Sequence, residues 1–186
     1  MKNQKISTKR IAMAGLLAAL TAVGSGIRIK IPVTIGGSSA FHLGNIFCAL
    51  SGILLGPGLG GAAAGLGSAI FDMTDPTYIS ECWITFLMKG AYGLAAGLIC
   101  RHLKLREYLR DLIATTAGAV TYAVLYLGKN YLETMIVGGV SASGAVVAVV
   151  SRLPATTFNM AVAIIIAPIL ATAIRKALKQ NHITLN

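Results

Sequence analysis

Three stretches of the chain carry residue types that could do chemistry. Asp72-Met73-Thr74-Asp75 spells D-x-x-D, a spacing that can hold Mg²⁺ against a diphosphate. It occurs once, at a helix end followed by Pro76, with no second acidic motif beside it, and Asp75-Pro76 is an ordinary turn-forming dipeptide. Gly56, Gly58 and Gly61 satisfy G-x-G-x-x-G, the spacing of a dinucleotide-binding turn, but that turn needs a preceding strand inside a βαβ unit. Lys89 and Asn159 stand as polar groups inside apolar runs. His42 has no second histidine at ligand spacing, so it reads as a capping or packing residue, and no metal site is expected. Cys48, Cys82 and Cys100 show no C-x-x-C spacing and read as small apolar residues. H-E-x-x-H, G-x-S-x-G and Walker patterns are absent, so no catalytic residue and no cofactor is expected. Energy for any uphill transport must come from a partner or an ion gradient.

The elements that position these residues follow from composition. Of 186 residues 55% are hydrophobic and 12% charged, about half the charge of a soluble domain. Mean hydropathy is +0.75. Charge-free apolar runs recur along the chain, which predicts an all-α, multi-pass membrane protein in a lipid bilayer. The net charge of +10 is explained by basic residues at span ends; no basic stripe with interleaved aromatics points to nucleic acid.

The run Leu43–Phe71 is the ambiguous one. As one helix it would reach about 44 Å, too long for a core of about 30 Å. As a hairpin broken at Gly56-Pro57-Gly58, it gives six spans with both termini on one side. That side then collects eleven Lys and Arg, including Lys2, Lys5, Lys9, Arg10, Arg101, Arg110 and Arg175, against four on the other (Arg28, Lys30, Lys129, Arg152). The single-helix alternative gives six against nine. Cytoplasmic loops collect basic residues, so the hairpin is preferred and both termini are placed in the cytoplasm. The expected organisation is one membrane domain over 1–186, with spans near 10–27, 40–56, 58–73, 82–100, 110–130 and 153–176. A short re-entrant or interfacial helix is expected near 140–151.

Between membrane helices the glycine run serves packing. Gly56, Gly60, Ala64 and Ser68 fall four apart, as do Gly61, Gly65 and Ala69, which lets another backbone approach closely in lipid. Ala14, Ala18 and Ala22 repeat the device on the first helix, with Gly15 and Ala19 along the adjacent edge. That face either packs within the bundle or docks another membrane protein. Four of the six acidic residues (Asp72, Asp75, Glu81 and Glu133) fall outside, facing Arg28 and Lys30. Lys89 lies about 9 Å along its helix beyond Trp83, within the hydrocarbon zone, where an ammonium costs about 3 kcal/mol without a partner. It either pairs internally, with Asp72 or a helix-end carbonyl, or contacts a ligand in a pocket opening outward.

The blocks "FHLGNIFCALSGILLGPGLGGAAAGLGSAIFD", "WITFLMKGAYGLAAGLI" and "VVAVVSRLPATTFNMAVAIII" resemble the substrate-binding S components of energy-coupling factor (ECF) vitamin transporters, nearest the riboflavin-type and hydroxymethylpyrimidine-type branch. The resemblance spans about residues 8–178. It implies a non-catalytic binding subunit of an ABC-type importer in a bacterial cell membrane. Such a subunit captures a small vitamin outside and delivers it through a membrane T component powered by two ATPases. It further implies a lid over Ile27–Leu43, substrate contacts at His42, Asn45, Trp83, Lys89 and Asn159, and T-component docking at Ala14, Ala18 and Ala22. The H-L-G-N stretch places Asn45 where such proteins often carry aspartate. Hydroxymethylpyrimidine or pyridoxine is the favoured cargo, with riboflavin or cobalamin as alternatives. Outside this class stand a stand-alone secondary transporter and a small membrane enzyme using Asp72 and Asp75.

Overall fold

The computed structural model describes residues 7–33, 35 and 38–184. Lys2 and Lys5 of the charge count, and positions 34, 36 and 37 of the expected lid, lie outside the described residues. Six helices follow one another: α1 (Thr8–Gly26), α2 (Gly44–Leu55), α3 (Pro57–Thr74), α4 (Cys82–His102), α5 (Glu107–Ile136) and α6 (Ala142–Gln180). The last three, α4 extended back to Ile79, are long and apolar enough to cross a membrane. The chain is thus a mostly helical membrane protein.

Two departures from the sequence expectation bear on the site. Between α1 and α2 the chain forms an antiparallel hairpin, β1 (Arg28–Pro32) and β2 (Ser38–His42), in the register Arg28↔His42, Lys30↔Ala40 and Pro32↔Ser38. The hairpin is a local addition to an otherwise helical bundle, and the second helix begins at Gly44 rather than near 40 because 38–42 is strand. At the other end of the sequence α6 runs unbroken from Ala142, absorbing both the separate short helix expected near 140–151 and the start expected at 153. Pro154 removes one backbone N–H but does not end the helix. The hydroxyls of Ser151, Thr156 and Thr157 bond to carbonyls three or four residues back around it. Thirty-nine residues span about 58 Å, so α6 overshoots a bilayer core at one end without changing the side on which the chain finishes.

The break at Gly56 has a conformational cause. Its φ of +82° favours glycine, and Pro57 then opens α3 at a position where its missing N–H has no role in the helix. Beyond it α3 and α4 pack nearly backbone to backbone: a Cβ on Gly93 would lie 2.8 Å from the Gly60 carbonyl oxygen. The small residues four apart are therefore seams between helices, as lipid packing requires. One end of the bundle gathers the α1 start, the α2–α3 turn, the α4–α5 corner and the α6 end; Arg10 bonds the Leu55 carbonyl there and Arg175 pairs with Asp111. Both described termini therefore share that end, and the hairpin covers the opposite one.

Candidate functional site

Under the hairpin lies a partly open cavity of about 100 Å³ into which several polar side chains reach. Its walls come from the hairpin (Ser39, Ala40, His42), α3 (Ser68, Asp72), α4 (Thr85, Met88, Lys89), α5 (Tyr122, Tyr126) and α6 (Thr156, Asn159), with Ser25, Arg28, Tyr78 and Glu81 at the rim. Tyr78, Glu81 and Tyr126 are shared with an outer cavity of about 450 Å³, also lined by Asn130, Glu133 and Arg152. The two spaces adjoin. Lys129 stands beside the outer one, bridging Glu81 at 2.7 Å and Glu133 at 2.6 Å.

Lys89 is buried, 3% exposed, on the α4 face that also carries Thr85, Met88 and Tyr92. Its ammonium donates to Asn45 Oδ1 and sits 3.8 Å from the centroid of the Tyr122 ring. Among the described residues no carboxylate stands within ion-pair distance of it; the internal pair with Asp72 is not made. A charge so deep needs compensation. A neutral amide and a ring face supply part of it, through a hydrogen bond and a cation–π contact. Tyr122 in turn stacks against Tyr126 at 5.7 Å and Tyr92 at 6.1 Å. The stack follows from the i, i+4 spacing of Tyr122 and Tyr126 on α5. That spacing was the available signal, and composition, at 6% aromatic, hid it.

Asn159 plays a different part. Its Oδ1 accepts from the His42 backbone N–H at 2.9 Å and its Nδ2 donates to the Ala40 carbonyl at 2.8 Å, so the whole amide is committed to β2. Phe41 meets Phe158 edge to face at 4.9 Å, and Arg152 donates to the Ile35 carbonyl at 3.1 Å. On the opposite flank Lys30 and Arg28 reach Asp75 at 2.9 and 3.7 Å, and Ser38 bonds Tyr78 at 3.0 Å. The hairpin is thereby clasped over the cavity from both sides. Arg28 also lies over the Phe71 and Tyr78 rings at 4.0 and 4.9 Å.

His42 lines the cavity, and its Nδ1 accepts from the Gly44 N–H at 3.2 Å, which leaves Nε2–H as a donor. Burial, reinforced by the charges of Lys89 and Arg28, holds its pKa well below 6.5, so the ring is neutral at physiological pH. The Asp75 carboxylate, held first by the hydrogen bond from Lys30, is lowered to about 2.

Of the residues expected at the pocket, His42, Lys89 and Asn159 line one cavity. Asn45 stands behind Lys89 and orients it; its Nδ2 is buried with no hydrogen-bond partner among the described residues. Trp83, 63% exposed, does not line this cavity, because two residues along a helix from Thr85 is about 200° of rotation. The expected docking stripe is largely covered within the bundle. Ala14 is buried in the core, Ala18 and Ala22 are half-buried, and a Cβ on Gly67 of α3 would lie 2.2 Å from the Ala18 carbonyl oxygen. What α1 leaves open is the adjacent edge of Ala12, Gly15, Leu16, Ala19 and Val23. Asp72 lines the cavity and Asp75 binds the hairpin; among the described residues no group of three metal-ligating side chains converges.

The hairpin thus covers a cation-bearing, aromatic-walled cavity inside a bundle of membrane helices. The family model for the S component of ECF-type riboflavin transporters matches residues 5–176. The chain belongs to that family. A protein of Pyrococcus woesei, described as an uncharacterized protein in a gap 3' region, is 31% identical over 114 residues, covering 61% of this chain and 72% of its own length. As an S component, the chain is a transporter subunit of a class that is typically non-catalytic.

Proposed function

We propose that this S component captures one small water-soluble vitamin or vitamin precursor in the cavity beneath the hairpin and hands it to a T component powered by two ATPases. The observation that carries the reading is Lys89: a lysine buried at membrane depth, lining a cavity, with a neutral asparagine and a ring face as its neighbours rather than an acid. An acceptor oxygen or ring nitrogen of a ligand completes its coordination. Around it His42 supplies a donor, Thr85 and Thr156 supply hydroxyls, and Tyr122 and Tyr126 supply a flat wall. The inner cavity suits a single substituted ring, which favours hydroxymethylpyrimidine or pyridoxine. Riboflavin is the second reading, favoured by the tyrosine stack and by the outer cavity that a longer ligand would enter; the family description is that of riboflavin transporters.

The reading places both termini in the cytoplasm of a bacterial cell, because the end holding Arg10, Arg101, Arg110 and Arg175 is the basic one. It assigns the hairpin the role of a lid, Lys89 and His42 that of ligand contacts, and Asn45 and Asn159 that of positioning residues. T-component docking moves from Ala14 to the open edge of Gly15 and Ala19. The test is calorimetric titration of the purified protein with hydroxymethylpyrimidine, pyridoxine, riboflavin and cobalamin. One-to-one binding of one of them with nanomolar affinity supports the reading and names the cargo. A folded protein that binds none of them, yet transports or turns over a substrate alone, contradicts it.

A further inference from the structure

The end of the bundle opposite the hairpin holds a third cavity, of about 830 Å³, that the vitamin site does not use. Arg10 of α1, Arg101 of α4, Arg110 of α5 and Arg175 of α6 line it, together with the Gly56–Pro57–Gly58 turn. Against these four guanidiniums stand two carboxylates: Asp111, fully buried and taken by Arg110 at 3.2 Å and by Arg175, and Glu107, whose charge also acts on Arg175. Arg10 donates one nitrogen to the Leu55 carbonyl, while its Nε is buried with no hydrogen-bond partner among the described residues. Arg101 is exposed and makes no ion pair among them. Two positive charges are left over in one hollow.

The backbone adds to that field. α3 starts at Pro57, so the N–H groups of Gly58 and Leu59 fall in its first turn, at the positive end of its dipole. A Cβ built on Gly56 or Gly58 meets nothing within 4 Å, so the space in front of them is open. Donors from several helices converging on one hollow match a tetrahedral anion with several oxygens better than a flat carboxylate. The glycine turn is no dinucleotide fold, yet its donors face the same chemistry.

We propose that this cavity binds a phosphate-bearing anion, supplied by the headgroup of an anionic phospholipid. The lipid source is argued from the neighbouring surface. Leu105, Tyr108 and Leu109, at the α4–α5 corner between Arg101 and Arg110, are 45, 48 and 44% exposed and offer an apolar track at headgroup level. Basic pockets between membrane helices on the cytoplasmic side take such headgroups. This inference is independent of the identity of the vitamin.

The test uses the full-length protein in nanodiscs of phosphatidylcholine with and without phosphatidylglycerol, with retained lipid counted by native mass spectrometry. The double variant Arg10→Gln/Arg101→Gln spares the two arginines that hold Asp111. Wild type is expected to retain phosphatidylglycerol over phosphatidylcholine by about 10-fold or more, and the double variant to lose most of that preference. Circular dichroism and the unfolding midpoint show that the variant is folded; should it fail to fold, Arg101→Gln alone, at an exposed position, decides. In a second arm, inorganic phosphate is added to lipid-depleted protein in detergent. A saturable rise in the unfolding midpoint that the variant lacks supports the anion site and makes the free anion a sufficient source. Equal retention of both lipids by wild type with no phosphate response overturns the proposal, and so does a preference that survives in the variant.

Discussion

Asn159 gives both ends of its amide to β2 backbone groups, so its loss leaves the His42 N–H and the Ala40 carbonyl without their partners. Each unmet buried group costs about 1–3 kcal/mol. Asn159→Ala is therefore expected to loosen the hairpin and speed ligand release by about 10-fold or more with little change in association, read by stopped-flow or surface-bound kinetics. An unchanged off-rate would return Asn159 to the role of a simple wall residue. The sequence showed that Asn159 and Lys89 were polar groups in apolar runs. It could not show that one faces a strand and the other a ring, because the strand pairs with residues over a hundred positions away.

Among the elements, the hairpin was the least legible. Arg28–Ile31 alternates charged and apolar residues over only four positions and Ser38–His42 does not alternate, while their pairing is anchored by contacts to α6 and to the α3–α4 turn that no local pattern records. α6 runs through the expected division at 153 because a helix long enough to overshoot the membrane accommodates both Arg152 and Pro154. The α2–α3 break was readable, since Gly56-Pro57 and the charge balance pointed to the same turn. The hairpin's outer tether has a pH signature. The Asp75 pKa is depressed from 3.8 to about 2, so its contribution to stability is complete above about 3.8 and is lost as pH falls toward 2. Wild type is expected to lose unfolding midpoint across that window more steeply than Asp75→Asn. The difference is small, because Lys30 is 43% exposed and surface pairs contribute about 0–1 kcal/mol. Parallel curves would remove Asp75 from the tether.

For the whole molecule, function divides between two ends and one flank. The lined cavity lies under the hairpin, the arginines gather at the far end, and α1 offers an edge of small residues to the bilayer. If that edge docks a T component, Gly15→Leu with Ala19→Leu abolishes vitamin uptake in cells while purified protein binds ligand as before. Ala14→Leu, by contrast, overpacks the core and lowers stability by about 1–3 kcal/mol. Uptake undiminished by the double substitution would place docking elsewhere. The family and the helical membrane character were visible in sequence blocks and composition; which face of α1 stays open was not, since packing and docking demand the same small residues.

The central claim is that Lys89 is held for a ligand. Its most direct test is the dissociation constant of wild type against Lys89→Met, measured by calorimetry with whichever vitamin the panel identifies. Methionine fills similar volume without a buried charge, so the variant is expected to fold at least as stably while binding about 10-fold or more weakly. An unchanged dissociation constant in a folded variant, or a variant that loses its fold rather than its affinity, would contradict the account and make Lys89 a structural group.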